Sequence, residues 1–277
     1  MTMVIKIGGA RAVDPGPVVA EITERVADGE GFVIVHGGST AVDDLLADLG
    51  EEPEYVTTPG GVTGRFTDER TMEVFTMAMA GKVNTELTVR LQQAGVDAVG
   101  LSGVDGRLLS GPRKSAVRVV EDGKKKIKRG DHAGRIEAVN VDLLDMLLDG
   151  GYTPVVSVPM LADDGVAVNA DADRAAAAVA GAMQSPLVLL TDVAGVYEDL
   201  DDPATRFDIV GDPEAFASLE EAAEGFMTRK VMAAREALEG GAPDVFVAAA
   251  TVEEPIARAK DGDATRITRN AIEGEAI

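Results

Sequence analysis

Lys6 is preceded by Met3, Val4 and Ile5 and followed by Ile7, Gly8 and Gly9. An apolar run this short, ended by glycine, reads as a buried strand entering a tight turn. A lysine at the exit of a buried strand is costly unless its charge has a partner. The glycines let backbone N–H groups approach a ligand closely. A lysine beside bare N–H groups is a site for phosphate. A second glycine pair, Gly37 and Gly38, followed by Ser39, closes the apolar run 32–36. Taken singly, either pair could be a plain turn. Neither GxGxxG nor GxxxxGK[ST] occurs, so the dinucleotide and P-loop fingerprints do not apply.

The elements that must carry these residues follow from the pattern on either side. A helix is expected from Pro15 or Pro17 to about residue 28, a strand over 32–36 and a helix over 40–49. Strand, glycine turn and helix, twice over, predict an α/β fold that binds ligands at the carboxyl ends of its strands. Residues 57–67 read as a glycine-rich loop holding Arg65, and 68–94 as one long helix. A short strand is expected over 98–101. From 106 to 137 the alternation shortens, with turn signals at Asp122-Gly123 and Gly130-Asp131, which predicts antiparallel hairpins. A helix over 141–148 and a strand over 154–158 resume the α/β order. The alanine-rich stretch 169–184 opens with aspartates, the expected start of a helix. Residues 187–191 predict a buried strand followed by a turn at 192–195. A helix over 227–239, a strand over 244–249, a last helix and a short edge strand near 266–268 complete the chain. A boundary near 181–186 separates an N-terminal portion, residues 1–180, from a C-terminal portion, residues 181–277.

The chain has 277 residues, 45% of them apolar, and a formal charge of −22, which predicts a folded protein under an acidic coat. Such an acid excess resembles that of proteins from salt-loving cells, halophilic archaea among them, where screening tolerates self-repulsion. There is no cysteine and only His36 and His132, which excludes thiolate metal sites and disfavours a histidine-built one. No apolar run approaches the ~20 residues of a membrane span. Lys6 and Gly8 interrupt the N-terminal apolar stretch, so no signal peptide is expected and a cytoplasmic location is.

The motifs KIGG at 6–9, VHGGS at 35–39, GRFTD at 64–68, GLSGVDG at 100–106, NADADRAA at 169–176, LLTDVAGV at 189–196 and FMTRKV at 226–231 resemble the amino acid kinase family. They run in order along nearly the whole chain. The resemblance is nearest to the acetylglutamate kinase branch. Nearer still, on TPGGVTGRFTD at 58–68 and the stretch 113–140, are kinases of glutamate or aminoadipate carried on the amino-group carrier protein LysW. It implies a three-layer α/β/α sandwich with a mostly parallel central sheet, the carbamate kinase-like fold. It also implies ATP with Mg²⁺, a carboxylate acceptor, a small acidic LysW-type carrier as partner, and a homodimer. Residues 1–180 would hold the acyl substrate and residues 181–277 the ATP. The chemistry agrees with the composition: a carboxylate is ionised at neutral pH and needs no general base. Phosphoryl transfer needs cations and N–H donors instead.

By the resemblance, Lys6 and Lys230 stabilise the transferring phosphoryl group, Gly8 and Gly9 supply N–H donors, and Asp173 holds the two lysines. Read from position alone, Lys230 could equally be a solvated helix lysine, and Asp173 a helix-start charge offsetting the dipole. Gly37, Gly38, Ser39 and Asn169 match substrate-binding positions. Arg65 matches the arginine that holds the substrate's remote carboxylate, unless it merely pairs with Asp68. Thr191, Asp192 and Gly195 match the nucleotide-binding turn, with Lys230 also reaching the nucleotide. Metal ligands from the protein are not expected. Asp171 departs from the acetylglutamate kinases, which usually carry asparagine there, and adds a negative charge.

Between 112 and 135 lie Arg113, Lys114, Arg118, Lys124, Lys125, Lys126, Lys128, Arg129 and Arg135 against Glu121, Asp122 and Asp131, 9 − 3 = +6. The rest of the chain is then −22 − 6 = −28. A solvated hairpin is one explanation. Nucleic acid is disfavoured by the surrounding field and the lack of an aromatic platform. An acidic protein partner suits both the charge and the carrier resemblance. Two rival functions remain beside the carrier-dependent kinase: an acetylglutamate kinase acting on the free small molecule, and a nucleotide-binding regulatory protein without catalysis.

Overall fold

The computed structural model describes residues 2–8, 14–61, 63–121 and 124–273. Its strands are β1 Thr2–Ile7, β2 Gly31–His36, β3 Tyr55–Thr57, β4 Thr63–Arg65, β5 Ala98–Gly103, β6 Leu109–Gly111, β7 Arg113–Glu121, β8 Lys124–Gly134, β9 Ala138–Val139, β10 Thr153–Ala162, β11 Ala167–Val168, β12 Leu187–Thr191, β13 Ile209–Val210, β14 Asp244–Ala249 and β15 Ala264–Thr268. Its helices are α1 Gly16–Ala27, α2 Ser39–Asp48, α3 Glu69–Thr76, α4 Asn84–Gln93, α5 Val141–Asp149, α6 Ala172–Ala182, α7 Pro213–Ala222, α8 Phe226–Gly240, α9 Pro255–Lys260 and α10 Asn270–Glu273.

One sheet organises the chain, in the order β13-β15-β14-β12-β1-β2-β10-β6-β9, with β5 and β11 also on β10. Its middle, from β14 through β12, β1, β2 and β10 to β5, is parallel throughout. Both faces are covered, and the strands read accordingly as near-continuous apolar runs. Alternate residues feed two cores. Val4, Val35, Val156 and Leu189 join the core under α6 and α8, while Ile5, Ile34, Val155 and Val188 join that under α1 and α4. Period-two alternation therefore turns Lys6, two residues after Val4, toward α6 and α8. This is the expected three-layer α/β/α sandwich. Since β1 pairs with both β2 and β12, the sheet runs unbroken across residues 181–186.

The helices α6 and α8 come very close. A Cβ on Gly181 would lie 2.9 Å from the Gly240 Cα, so glycine and the alanines of α6 are what this approach requires. Among the described residues no helix is long and apolar enough to cross a membrane.

Four local expectations are revised. The 57–67 loop contains a small hairpin, β3 with β4. The helix expected over 68–94 is α3 and α4 joined by a π-helical stretch, Met77–Val83. The Gly130-Asp131 signal is not a turn but a bulge inside β8. Between the pairs Lys114–Ala133 and Ala116–Arg129, one residue of β7 faces three of β8, and Gly130 takes φ 90°. The same glycine chemistry serves turn and bulge. The strand near 266–268 is not the edge, because β13 pairs with its outer side. The turn signal Asp122-Gly123 lies outside the described residues.

Candidate active site

Three buried charges meet at the carboxyl edge of the sheet. Lys6 arrives near the end of β1, Asp173 as the second residue of α6 and Lys230 as the fifth of α8. Lys6 Nζ lies 2.7 Å from Asp173 Oδ1, and Lys230 Nζ 3.2 Å from Asp173 Oδ2. They are only 6%, 7% and 8% exposed. Burial alone would raise the Asp173 carboxyl, but the Lys6 and Lys230 ammoniums outweigh it and hold it below the usual carboxylate range. Burial, with the nearby Lys6 charge, pulls the Lys230 ammonium down, against the attraction of Asp173. Two ammoniums on one carboxylate leave the centre with one positive charge in excess. Such a centre binds and stabilises an anion, above all one that gains charge as it reacts.

Asp171 caps α6, accepting the N–H of Asp173 at 2.9 Å and of Arg174 at 3.1 Å. Its other oxygen takes Arg229 Nη1 at 3.3 Å. The extra negative charge noted in the sequence is thus neutralised by the residue next to Lys230. Position alone did not single out Arg229, although it lies inside the FMTRKV motif. Gly8 follows β1, half-buried, whereas Gly9 lies outside the described residues.

On the other side of this centre, β2 runs into α2 through residues 37–39. Gly37 N–H bonds the Ile7 carbonyl at 3.0 Å, tying the second glycine turn to the first. Gly38 lets the π-helical stretch approach: a Cβ there would sit 2.6 Å from Met79 Sδ. Ser39 opens α2, whose first N–H groups have no intrahelical acceptor and face this edge.

Arg65 is not paired with Asp68, which instead caps α3 through Thr71 N–H at 2.8 Å. Its guanidinium pairs with Asp43, donates to the Ser39 carbonyl at 3.1 Å and to the Tyr55 hydroxyl at 2.9 Å, and covers the Tyr55 ring at 5.0 Å. Arg65 is therefore oriented before any ligand arrives. Neighbouring Gly64 lies against Arg229, 3.5 Å from where its Cβ would be. A continuous path of contacts thus joins Ser39, Arg65, Arg229, Asp171, Asp173 and the two lysines.

Asn169 donates to Thr67 Oγ1 at 3.0 Å and pairs through its backbone with His132 and Gly134, both at 2.7 Å. It is therefore where the basic hairpin, β7 with β8, is rooted. His132 N–H to the Thr67 carbonyl at 2.6 Å and Thr67 N–H to the buried Asp131 carboxylate at 3.1 Å complete the root. Burial pushes that carboxyl up, against the Thr67 and His132 N–H groups.

The basic residues divide by face. Arg113 turns to the Asp131 carbonyl and the His132 ring, and Lys128 to Glu54 and the Phe66 ring at 4.2 Å. Val119 on the inner face is buried. The opposite face carries Arg118, Val120, Lys125, Ile127 and Arg129, all exposed, with Ile127 62% exposed. Lys114, Lys124 and Lys126 are exposed as well.

Thr191 ends β12 at the same carboxyl edge, with Lys6 opposite Leu189 in the register. Its hydroxyl bonds Asp192 at 2.9 Å and its carbonyl accepts Ala250 N–H at 2.7 Å. Gly195 has Thr265 Oγ1 2.5 Å from its Cβ position, and that hydroxyl accepts Val196 N–H at 2.8 Å. The turn is thus fixed from behind, with glycine needed for the approach. Among the described residues no three His, Asp or Glu side chains gather as a metal site.

The chain resembles several known proteins. The chain is 42% identical over 269 residues to LysW-aminoadipate kinase of Deinococcus radiodurans, covering 96% of this chain and 91% of the relative. It is 41% identical to LysW-aminoadipate kinase of Thermus thermophilus, covering 95% and 98%. It is also 41% identical to acetylglutamate kinase of Methanopyrus kandleri, covering 88% and 93%. Among solved structures, N-acetylglutamate synthase from Neisseria gonorrhoeae aligns with a TM-score of 0.70 at 26% identity, over 96% of this chain and 59% of that longer one. Carbamate kinase from Giardia lamblia shares the fold at a TM-score of 0.65 and 16% identity, over 96% and 98%. Residues 1–249 match the amino acid kinase family, and with relatives alike along nearly their whole length, the chain belongs to that family.

Proposed function

We propose that the chain is an ATP-dependent kinase that phosphorylates the side-chain carboxylate of glutamate or aminoadipate held on a LysW-type carrier, in arginine or lysine biosynthesis. A carboxylate oxygen attacks the γ-phosphorus, the bond to the β–γ bridging oxygen breaks, and the products are an acyl phosphate and ADP. The observation that carries this reading is the buried Lys6–Asp173–Lys230 centre. Its excess positive charge meets the phosphoryl oxygens as negative charge develops on them. Asp173 orients both ammoniums. Mg²⁺ arrives bound to ATP, whose own oxygens and water supply most of its ligands. Arg65 and residues 37–39, with Asn169, hold the acyl end, and the 191–195 turn, within residues 181–277, holds the nucleotide.

The choice of a carrier over a free acid is supported by the hairpin. Its outer face alternates cations with Val120 and Ile127, a surface fitted to an acidic protein rather than to water alone. Its root at Asn169 and Thr67, beside residues assigned to the acyl site, supports that reading. The 41% identity to acetylglutamate kinase of Methanopyrus kandleri favours the second reading, free N-acetylglutamate as acceptor.

Both are tested together. Arg118, Lys125 and Arg129 are replaced by Glu, which changes the outer face by −6. Carrier-bound acceptor should lose kcat/KM at least tenfold at low salt, and less at high salt. Free acetylglutamate, if turned over, should be little affected. Undiminished use of carrier-bound acceptor refutes docking on this face and returns acetylglutamate to first place. Absence of ATP turnover with either acceptor leaves a nucleotide-binding regulator.

A further inference from the structure

The 37–39 loop is held from beneath by a side chain that the proposed chemistry leaves unused. His36, the last residue of β2, is 2% exposed. Its Nδ1 lies 2.9 Å from the Gly37 carbonyl, and its Nε2 lies 3.1 Å from Asn84 Nδ2. A carbonyl can only accept, so Nδ1 carries the proton and Nε2 is the acceptor. The Asn84 amide also donates to the Val155 carbonyl at 2.8 Å. This fixes the amide orientation, because a flipped amide would set its oxygen against a carbonyl and a ring lone pair. Only the neutral Nδ1–H ring satisfies both neighbours. A protonated ring would face Asn84 with a second N–H.

The surroundings are built to this arrangement. Burial pushes the His36 ring down to about 4, with the Lys6 charge adding to that and the Gly37 carbonyl opposing it. A side chain on Gly100 would run into the Asn84 and Thr88 side chains. Asn84 directly follows the π-helical stretch Met77–Val83. Bonds from i to i+5 bring residues five apart onto one side, and Met79 and Asn84 are five apart. An α-helix, at about 100° per residue, would splay them. The π winding thus directs both Met79, at Gly38, and Asn84, at His36, toward the loop.

We infer that His36 is a positioning residue for the acyl-substrate loop, its neutral ring clamping the Gly37 carbonyl to Asn84 at the end of the π-helical turn. This rests on the reading of residues 37–39 as the loop that holds the acyl substrate. The clamp decides in which direction the Gly38 and Ser39 backbone meets that substrate. The nucleotide turn, on the far side of β1, is not touched by it.

The test combines kinetics with ¹⁵N-histidine NMR of the full-length protein. His36→Leu and Asn84→Leu should each raise the acyl-acceptor KM at least tenfold, with the ATP KM changing less than twofold. His36→Asn, whose amide can still reach the Gly37 carbonyl, should recover most of the loss. With only His36 and His132 present, two imidazole spin systems are expected, and His36→Asn identifies one of them. That ring should show a protonated Nδ1, a bare Nε2 and no titration between pH 8 and 5. An Nε2–H tautomer, or titration near 6.5, overturns the clamp even if the Leu variants fail to fold. An unchanged acyl KM in folded His36→Leu overturns the positioning role. If Arg65→Ala raises the acyl KM and His36→Leu does not, this inference alone fails. If both raise only the ATP KM, the assignment of the acyl site fails with it.

Discussion

Replacing Asp173 by Asn removes the carboxylate that Lys6 and Lys230 share, at 2.7 Å and 3.2 Å. At an effective dielectric of about 20, those contacts are attractions of ~5–6 kcal/mol each before desolvation and lysine–lysine repulsion are set against them. The variant converts a buried centre of net +1 into one of +2. Breaking a buried pair by removing one partner costs ~3–5 kcal/mol. At ~2–4 °C per kcal/mol for a chain of this size, the melting temperature should fall by on the order of 10 °C. Lys230→Met is the opposite perturbation. It leaves Lys6 on Asp173 as a neutral pair, so it should cost under ~1 kcal/mol in stability. It should nevertheless lower kcat a hundredfold or more, ~3 kcal/mol of transition-state stabilisation. The double variant should then melt above Asp173→Asn alone, since one of two uncompensated cations is gone. Thermal melts at constant salt and steady-state kinetics at saturating substrates measure all four proteins. The reasoning is refuted if Asp173→Asn melts within ~2 °C of the parent, or if the double variant is the least stable of the set.

Arg65→Ala should raise the acyl-acceptor KM and leave the ATP KM unchanged, and an effect on ATP alone would put Arg65 in the wrong site. Stability should fall on mild acidification, because the His36 ring is held at about 4 when folded against ~6.5 when unfolded. Between those values the unfolded chain binds the extra proton, so stability is full above pH ~6.5 and is lost as pH falls, by ~2 kcal/mol at pH 5. Asp173, held low when folded, acts in the same direction at lower pH. Urea unfolding at pH 7 and pH 5 measures this. His36→Asn should flatten the profile, and a flat profile in the parent would contradict the clamped neutral ring.

The sheet was legible because its strands are short apolar runs, those of β1 and β2 ended by glycine. Residues 187–191 and 244–249 fall where the pattern alone sets them. The helix α7 was equally legible in principle, since Asp212 and Pro213 are a cap and a first-turn proline, and the Asp212 side chain does accept Ala215 N–H at 2.8 Å. The π-helical stretch was not, because i→i+5 winding has no composition of its own and is set here by what Met79 and Asn84 pack against. Pairings such as Asp43 with Arg65, or Asp171 with Arg229, join residues far apart in sequence and leave no periodic trace. The Lys6–Asp173–Lys230 centre became visible only through the family resemblance, since position alone left Lys230 a surface lysine. The structure removes that alternative by burying it.

Asp171 shows why a charge must be counted with its neighbours. From sequence it stood out as an added negative charge. In the fold one of its oxygens is committed to the start of α6 and the other to Arg229. Counting the connected site, Lys6, Lys230, Arg65 and Arg229 stand against Asp43, Asp171 and Asp173, 4 − 3 = +1. That single positive charge sits in a body of −22. The body's field works against any free anion approaching from solution, most strongly at low salt. An acceptor tethered to a partner docked at the hairpin, as proposed, would bypass that barrier, because its effective concentration at the site would be set by the tether. The same acidity that would slow a free acid would also repel the proposed acidic carrier everywhere except at the +6 segment. On the proposed reading, wrong encounters would be suppressed, and a carrier docked on the hairpin would be favoured over one arriving elsewhere.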